Sequence, residues 1–404
     1  MQAANALHYD LIIVGGGLVG ASLALALRDT SLHIALVEAR LPSTNDGRLF
    51  ALNISSVNLL KHIGVWPAVE AHAAPIQSVH VSHRGHFGAV HLQAEEAGFT
   101  YLGQVLPARH LEAALHEALL QMPALTVYRP ARVTQLQTHD QLTTLIVQQE
   151  NENLTLSAPL IVGADGTEST LRELLNIPTE TMDYHQTAIV STFQLARSHQ
   201  GVAYERFCDG GALAMLPLPE QRCASILSID TEKAAQLLEM DDAAYLAHCQ
   251  TLIGYRLGRL LSVSGRLAYP LRMKRALRAV TQQVFLLGNA LHTLHPIAAQ
   301  GFNLALYEVA CLVEGITAEL AAGRSLTATD LACISQQTEQ QQRVSTFVSD
   351  KLARFFSKPQ PGLSWLASLG MASFDCVSPL KKQFMSMMTG RAGTPPALLV
   401  SNLE

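Results

Sequence analysis

Residues 11–20 are Leu11-Ile12-Ile13-Val14-Gly15-Gly16-Gly17-Leu18-Val19-Gly20. The first four are typical of a strand buried on both faces, and the residues that follow the glycines have the apolar content of a helix. G-x-G-x-x-G between a strand and a helix is a dinucleotide-binding turn, in which Gly15 permits the bend, Gly17 lets backbone approach a pyrophosphate, and Gly20 lets helix and strand pack closely. The stretch therefore predicts a Rossmann-like unit.

The residues after this turn support the same interpretation. The next predicted strand ends at Glu38, where such folds place a carboxylate that accepts ribose hydroxyls. The helix N-terminus adds free N–H groups and a partial positive charge for the phosphates. A plain tight turn is the alternative, and the strand, helix and acid together favour the dinucleotide site. The motif does not distinguish FAD from NAD.

Two further glycine turns follow apolar strands. The second is Val162-Gly163-Ala164-Asp165-Gly166, where Asp165 is expected to accept from backbone N–H groups and fix the loop; an ordinary capped helix start is the alternative. The third begins at Leu287-Gly288-Asn289 and leads to a helix near Gly301. The N-terminus of that helix can stabilise negative charge on a reduced flavin, which an NAD site does not require.

Composition excludes several classes of protein. The chain has 404 residues, 49% of them hydrophobic and 15% charged, with a net charge of −5. Disorder and nucleic-acid binding are therefore disfavoured. None of the six cysteines forms a C-x-x-C pair, so we predict no metal site and free thiols of a reducing compartment. The start of the chain has no basic signal-peptide region, and four glycines interrupt its most apolar stretch, residues 11–27.

The rest of the chain alternates between strand and helix patterns. Residues 76–93 alternate around Arg84-Gly85 and predict a hairpin. Residues 187–229 give repeated strand patterns without crossover helices, which predicts an antiparallel sheet. Helical patterns are predicted over 241–261 and from Gly301 to about Phe356, with more helix at the C-terminus.

In their order and spacing, the three glycine motifs resemble those of the single-component FAD-dependent aromatic hydroxylases, the para-hydroxybenzoate hydroxylase type. Within that family the chain is similar to the ubiquinone-biosynthesis hydroxylases. Residues 46–52 match their D-G-R-x-x-A-L, and residues 294–304 are close to their L-H-P-I-A-G-Q-G-x-N-L. Residues 79–86, 205–207 and 213–217, with Asn289 instead of Asp, are similar to the 2-polyprenyl-6-methoxyphenol hydroxylase subgroup. Departures are Ala299 and Ala305 for glycines and Tyr307-Glu308 for Arg-Asp.

The resemblance implies an α/β fold. An FAD-binding Rossmann-like domain of the glutathione reductase type would comprise residues 1–75, 100–180 and 280–345. An interleaved antiparallel-sheet substrate domain would comprise residues 76–99 and 181–279. Residues 346–404 would form a C-terminal helical segment.

The resemblance also implies the roles of the site residues. Those of the ADP half are Gly15, Gly17, Gly20 and Glu38. Arg48 and Arg109 would contact the phosphate and ribityl region, and Asp165 would contribute from the second turn. Asn289 would bind a ribityl hydroxyl. The residues at the isoalloxazine would be Gly301, Phe302 and Asn303. His295 is the candidate catalytic residue, with a structural role as the alternative. Since the chain has no second G-x-G-x-x-G, NADPH or NADH would act as a transient reductant.

The function so implied is an FAD-dependent monooxygenase that uses O2 to hydroxylate the aromatic ring of a polyprenylated phenol in ubiquinone biosynthesis. The alternatives are a related flavin-dependent polyprenyl reductase and a non-catalytic flavin-binding subunit of a biosynthetic complex. A flavin halogenase is disfavoured because W-x-W-x-I-P is absent.

Two segments raise the question of partners. Seven basic residues and no acid lie between Arg256 and Arg278; they form either a solvated face or a site for NADPH phosphate or lipid headgroups. The C-terminal apolar residues predict a core, an oligomer or complex interface, or a membrane contact, and the interface is favoured; they are Phe355, Phe356, Trp365, Leu366, Leu369, Met371 and Phe374. The predicted location is cytoplasmic, with peripheral contact at the inner membrane as an option.

Overall fold

The computed structural model describes residues 6–41, 47–139, 141–208, 210–295, 299–357, 371, 373–375, 377–391 and 395–400, with backbone alone for 348–349 and 351–357. Outside the described residues lie Asp46 of the D-G-R motif, residues 296–298 of the third motif, and Trp365, Leu366 and Leu369. The side chains of Phe355 and Phe356 lie outside as well.

The described residues form twenty-one strands and ten α-helices. In chain order the strands are β1 (Leu7–His8), β2 (Leu11–Val14), β3 (Ile34–Val37), β4 (Leu49–Asn53), β5 (Ala74–Ile76), β6 (Ser78–His83), β7 (Ala89–Gln93), β8 (Gly103–Pro107), β9 (Leu125–Tyr128), β10 (Ala131–His139), β11 (Leu142–Gln149), β12 (Glu152–Ala158), β13 (Leu160–Gly163), β14 (Thr179–Leu195), β15 (Val202–Cys208), β16 (Gly211–Leu218), β17 (Arg222–Asp230), β18 (Leu260–Ala276), β19 (Val280–Thr281), β20 (Val284–Leu286) and β21 (His292–Thr293). The helices are α1 (Leu18–Ala26), α2 (Ile54–His62), α3 (Trp66–Val69), α4 (Ala108–Leu119), α5 (Thr170–Leu174), α6 (Thr231–Glu239), α7 (Asp242–Ile253), α8 (Gln300–Ala321), α9 (Ala328–Ser357) and α10 (Ser378–Met388).

A six-stranded sheet forms the centre of the Rossmann-like part, in the order β19-β20-β13-β2-β3-β9. All its pairings are parallel except that of β19 with β20. The apolar run that predicted β2 is buried on both faces. Leu11 and Ile13 pack against α1, α4 and α8, whereas Ile12 and Val14 pack against the second sheet, β1-β12-β11-β10. Helices and this small sheet therefore cover opposite faces of the central sheet, and the predicted fold class is confirmed.

An eight-stranded sheet takes its strands from three parts of the chain, in the order β21-β18-β14-β17-β16-β15-β6-β7. Its pairings are antiparallel except that of β15 with β6. The predicted hairpin at 76–93 and the predicted strands at 187–229 lie together in this sheet. Helices α6 and α7 pack on one face through a core that includes Phe193 and Tyr245. The other face borders a large cavity.

Three boundaries differ from the sequence interpretation. The helix predicted over 241–261 was wrong at its C-terminal end, because α7 ends at Ile253 and residues 260–276 are strand. Helix α9 crosses the boundary predicted between residues 345 and 346. Residues 292–293, which the predicted boundaries place in the FAD domain, add an edge strand to the eight-stranded sheet. Across the described ranges, no helix has the combined length and apolar character needed to span a membrane.

Candidate active site

The three glycine turns meet because β20, β13 and β2 are neighbouring parallel strands whose carboxyl ends lie at one edge. Backbone hydrogen bonds join the turns: Ala164 N donates to Val14 O at 2.7 Å, and Leu287 N donates to Gly163 O at 2.8 Å. The edge of the sheet therefore assembles motifs that are distant in sequence into one site.

The first turn needs glycine at two positions for steric reasons. Gly15 has φ +105°, and a Cβ there would lie 2.3 Å from the carbonyl oxygen of Ala164. A Cβ on Gly20 would lie 1.9 Å from the carbonyl oxygen of Gly15, where α1 crosses the turn. Gly17 is different, because a Cβ there would meet nothing within 4 Å and the residue borders the cavity. That open space is what a pyrophosphate needs.

Glu38 follows β3 and is joined to the first turn. One carboxylate oxygen accepts from Gly16 N at 2.6 Å, and the other accepts from Arg40 N at 2.7 Å. Two residues without a sequence signal complete this end: His116 Nε2 lies 3.2 Å from Gly16 O, and Arg129 Nη2 lies 3.2 Å from His116 Nε2. They line the cavity beside Glu38 and place cationic or hydrogen-bonding groups near the glycine turn.

The second turn is held by a buried arginine. Asp165 accepts from Leu171 N at 3.2 Å, and burial raises the pKa of its carboxyl group, opposed by hydrogen bonds at the start of α5. Arg172 donates to Thr167 O at 2.6 Å and to Ala290 O at 2.9 Å. Arg172 therefore ties the second turn to the third, which fixes the width of the site between them.

The third turn presents Asn289 and the N-terminus of α8 to the cavity. Gly301 has open space around it, and the Phe302 ring packs on Phe50 with centroids 4.6 Å apart. Asn303 is engaged within the protein. Its Oδ1 accepts from Asn53 N at 2.9 Å, and its Nδ2 donates to Ala51 O at 2.9 Å. Asn303 thereby holds the turn between β4 and α2 against the start of α8.

The two arginines predicted to contact FAD differ in their position relative to the cavity. Arg48 lines the cavity, with its guanidinium 5.8 Å from the Phe50 ring centroid. Arg109 is exposed, and its Nε donates to His110 at 3.3 Å. It shares a face of α4 with Glu112 and His116, which do line the cavity. The helix face is therefore at the site, while the Arg109 side chain itself does not line the cavity.

His295 also lines the cavity, where its side chain is buried and its ring meets the edge of the Tyr184 ring at 4.8 Å between centroids. Burial lowers the pKa of His295 to about 4. The imidazole is therefore neutral near pH 7. His292, in contrast, lies off the cavity and bonds Glu308 through Nε2 at 2.5 Å.

One cavity of 1610 Å³ joins all three turns to the face of the eight-stranded sheet. Since a single small-molecule site spans about 300–1,000 Å³, this volume accommodates more than one ligand. The sheet end is apolar, and the C-terminal segment contributes to it. Its main lining residues are Val79, Val81, Val90, Leu92, Ala203, Leu216, Ile226, Met371, Phe374, Phe384, Met385 and Met388.

Glu205 is the acidic group of this sheet end that the sequence analysis did not assign to the site. It lies on β15 and lines the cavity, and burial raises its pKa to about 7. The E-R-F segment carries the resemblance to the subgroup, but no motif in it marks Glu205 as a site residue. The signal that could have found Glu205 is a lone acid at an inward position of an otherwise apolar strand.

The structure also shows where part of the basic run and two of the C-terminal apolar residues lie. In β18, Arg266 pairs with Asp242 at 2.8 Å, Arg272 with Asp183 at 3.0 Å, and Lys274 with Glu168 at 2.6 Å. Four of the seven basic residues of the run therefore lie on this strand of 17 residues, and three of those four are paired with carboxylates. Met371 and Phe374 face the cavity.

A family model for the FAD binding domain matches residues 8–332. The chain therefore belongs to the FAD-binding-domain family. The ubiquinone hydroxylase UbiL of Rhodospirillum rubrum is 32% identical over 401 residues, which cover 97% of this chain and 92% of the relative. The 3-demethoxyubiquinol 3-hydroxylase of Escherichia coli is 27% identical over 391 residues, which cover 94% of this chain and 98% of the relative. The resemblance to the ubiquinone-biosynthesis FAD hydroxylases is confirmed.

Solved structures agree on the fold. The p-nitrophenol 4-monooxygenase PnpA of Pseudomonas putida superposes with a TM-score of 0.79 at 15% identity, over 96% of this chain and 100% of that one. PqsL of Pseudomonas aeruginosa in complex with 2-aminobenzoylacetate gives a TM-score of 0.76 at 20% identity, over 90% of this chain and 100% of that one.

Proposed function

We propose that the protein is an FAD-dependent monooxygenase that uses O2 to hydroxylate the ring of a polyprenylated phenol in ubiquinone biosynthesis. The observation that carries the proposal is the single cavity, which has a dinucleotide-type polar end and a long apolar end. A flavin and an aliphatic-aromatic substrate need those two environments side by side. The names of the relatives supply the pathway.

The described residues fit FAD. The N-terminus of α1 has no side-chain cap, so its N–H groups remain for phosphate oxygens. The space beside Gly17 is open, and Glu38 stands where ribose hydroxyls are bound. Arg48 and Asn289 border the middle of the cavity, and Gly301 and Phe302 its junction with the sheet end. We propose these residues as the FAD contacts, with Arg109 joining them by turning along α4.

When bound, FAD supplies the reduction of O2 and delivery of one oxygen atom to the ring. The chain supplies position and electrostatics. The N-terminus of α8 stabilises negative charge at the isoalloxazine end. The apolar sheet face and the C-terminal methionines and phenylalanines exclude water from the ring to be hydroxylated. Neutral His295 provides hydrogen-bonding capacity without a positive charge near pH 7, and we propose it as a residue that contacts the reacting region.

Flavin loading and oxygen consumption test the function. The purified protein should be yellow or take up FAD stoichiometrically, and should consume O2 and NADPH or NADH only when a 2-prenylated phenol is present. Reduction of a prenyl double bond without O2 consumption would favour the polyprenyl reductase alternative. Flavin binding without either reaction would favour a non-catalytic subunit. Failure to take up FAD would contradict the cofactor assignment.

The apolar end depends on a buried lysine of α10. Lys381 has a 6% exposed side chain, and its Nζ lies 2.9 Å from Glu96 and 3.2 Å from Asp375. This triad fastens α10 to the sheet end of the cavity, next to Met385.

We expect Lys381→Met to lower the free energy of unfolding by about 1–2 kcal/mol, below the usual cost of breaking a buried pair because both carboxylates are partly exposed. The KM for a prenylated phenol should rise several-fold while FAD content stays unchanged. The matched control is Lys382→Met at the exposed neighbouring position. An unchanged KM in Lys381→Met would show that α10 does not shape the substrate end.

The predicted interface through the C-terminal segment, as oligomer, complex or membrane contact, remains a proposal, as do the discontinuous domain boundaries. Lipid analysis of a strain that lacks the protein would identify the substrate, because the quinone precursor that accumulates reports both the ring position and the tail.

A further inference from the structure

Glu205 occupies an inward position in the middle of the cavity's sheet face. It pairs in register with Val81 of β6 on one side and Ala214 of β16 on the other. Its neighbours two residues away on the same strand, Ala203 and Phe207, also line the cavity. Every one of these four neighbours is apolar, so Glu205 presents an isolated carboxyl group to the substrate end.

Within the described part of the chain, the Glu205 carboxyl group has neither a hydrogen-bond donor nor an ion-pair partner. The neighbouring cation, Arg206, projects to the opposite face of the strand and donates to Ser82 Oγ at 3.1 Å. Burial is the single cause of the raised Glu205 pKa. An unpaired acid in an apolar environment costs folding free energy, and such groups concentrate at functional sites.

Among the described residues, the other titratable groups near this face form no hydrogen bond or ion pair with Glu205. His83, two positions beyond Val81, stacks on His86 with ring centroids 4.4 Å apart. Tyr269 of β18 lines the cavity as well. His80 and His91 of β6 and β7 alternate to the opposite face, where their rings meet at 4.5 Å. Of the acids at the polar end, Glu38 and Asp165 are engaged with backbone N–H groups.

We propose that Glu205 is a catalytic residue whose carboxylate accepts the proton of the substrate's phenolic hydroxyl. This inference rests on the proposed function and extends it to the way in which the substrate ring is activated for hydroxylation. The phenol O–H bond breaks, a carboxyl O–H bond forms on Glu205, and the negative charge passes to the phenolate oxygen with no change of oxidation state. The proton returns to the product or to solvent when the product leaves.

The chemistry explains why a base belongs there. A phenol with a pKa near 10 is almost fully protonated at neutral pH, and its ring is less electron-rich than that of the phenolate. A base is most effective when its pKa lies near the working pH. The apolar wall that surrounds Glu205 holds its pKa at about 7, which suits a group that must both take up and release a proton.

The experiment compares wild type with Glu205→Gln and Glu205→Asp, using 2-geranylphenol. In wild type, kcat/KM should rise with pH through about 7, because the carboxylate is the active form. In Glu205→Gln, kcat/KM at pH 8 should fall about 100-fold or more, the rise near pH 7 should disappear, and FAD content should be unchanged. Glu205→Asp should retain the rise. Glu220→Gln, an exposed carboxylate in the turn between β16 and β17, is the matched control.

A series of substrates separates this inference from the proposed function. With ring-fluorinated 2-geranylphenols of decreasing pKa, the difference in kcat/KM between wild type and Glu205→Gln at pH 8 should become smaller, because a phenol that ionises more readily in solution needs a base less. A difference of the same size for every phenol, or no difference with any of them, would overturn the role of Glu205. Absence of substrate-dependent O2 consumption by wild type with every phenol would instead overturn the proposed hydroxylation.

A stability measurement gives an independent fold control. Because the pKa of Glu205 is raised from 4.5 to about 7 in the folded protein, the stability present at low pH is lost as pH rises through about 7. Glu205→Gln should therefore lose less urea resistance than wild type between pH 5 and pH 8.5. An identical loss in the two proteins would show that Glu205 is solvated and unsuited to the role.

Discussion

Gly20→Ala should abolish FAD binding and lower the free energy of unfolding by roughly 3–5 kcal/mol, at the upper end of single substitutions. A Cβ at this position would lie 1.9 Å from the carbonyl oxygen of Gly15 and 3.2 Å from the Ile13 side chain. The carbonyl belongs to the backbone of the turn and cannot rotate away. Helix α1 would have to move off β2, which separates the N–H groups proposed to bind phosphate from the glycine turn.

The measurement is urea denaturation followed by circular dichroism, together with flavin absorbance per chain. Gly17→Ala is the matched control in the same turn. Its φ is −70°, and its Cβ would meet nothing within 4 Å. The unliganded protein should keep its stability within about 0.5 kcal/mol, whereas FAD affinity should fall at least ten-fold because the methyl group occupies the space intended for the pyrophosphate.

The two variants thus distinguish two causes of lost flavin. Gly20→Ala acts through the packing of helix on strand, and Gly17→Ala acts at the ligand. Normal FAD affinity in Gly17→Ala would contradict the predicted approach of the pyrophosphate. Normal stability in Gly20→Ala would mean that α1 shifts at little cost.

Local signals were sufficient to predict that the three glycine turns meet at one edge of the sheet. The glycines, the buried strands and Glu38 have adjacent or closely spaced sequence signatures, and parallel strands bring their carboxyl ends to one edge without further information. The third motif retained its helix start although Ala299 replaces a glycine. Ala299 adopts φ 49° and ψ 37°, a conformation that costs an L-residue about 1–2 kcal/mol. The backbone of the motif therefore tolerates the departure.

The helix predicted over 241–261 shows where periodicity misleads. Leu257, Leu260 and Leu261 continue a helical spacing beyond α7, yet Gly254 and Gly258 adopt φ of +71° and +72°. Those left-handed residues end the helix and turn the chain into β18, because glycine enters that region without a steric penalty. Apolar spacing alone carries no information about the backbone conformation between the apolar residues.

The substrate end depends on pairings that sequence spacing does not contain. Glu205 faces the cavity because of its register with Val81 and Ala214, and a shift of one residue would direct it to the other face. Met371 and Phe374 reach the cavity from a segment far along the chain. Arg109 illustrates a finer limit: its helix face was predictable, whereas the direction of a long side chain on that face was not.

Glu308 holds the third glycine turn through hydrogen bonds. We expect Glu308→Ala to lower both the free energy of unfolding and the affinity for FAD. Its side chain has 0% exposure and accepts three hydrogen bonds: from Gly288 N at 3.0 Å, from His292 Nε2 at 2.5 Å and from Gln342 Nε2 at 2.7 Å. Removing the acceptor leaves two buried donors unsatisfied, Gly288 N and His292 Nε2, whereas the partly exposed Gln342 keeps its bond to Thr338 Oγ1 at 3.1 Å. At about 1–3 kcal/mol for each such group, we expect a loss of roughly 3–5 kcal/mol in the free energy of unfolding.

The effect on FAD follows from the position of the donors. Gly288 and His292 flank Asn289, so loss of their common anchor frees the turn that presents Asn289 to the cavity. FAD affinity should fall at least ten-fold. The measurement is a flavin fluorescence titration without urea, at a temperature at which the variant remains folded. Glu319→Ala is the control on the same helix, because Glu319 pairs with the exposed Arg324 at 2.7 Å, and such a surface pair contributes about 0–1 kcal/mol. If Glu308→Ala matched Glu319→Ala in both stability and FAD affinity, the buried network would not be what holds the third turn in place, and the ties through Arg172 would have to suffice.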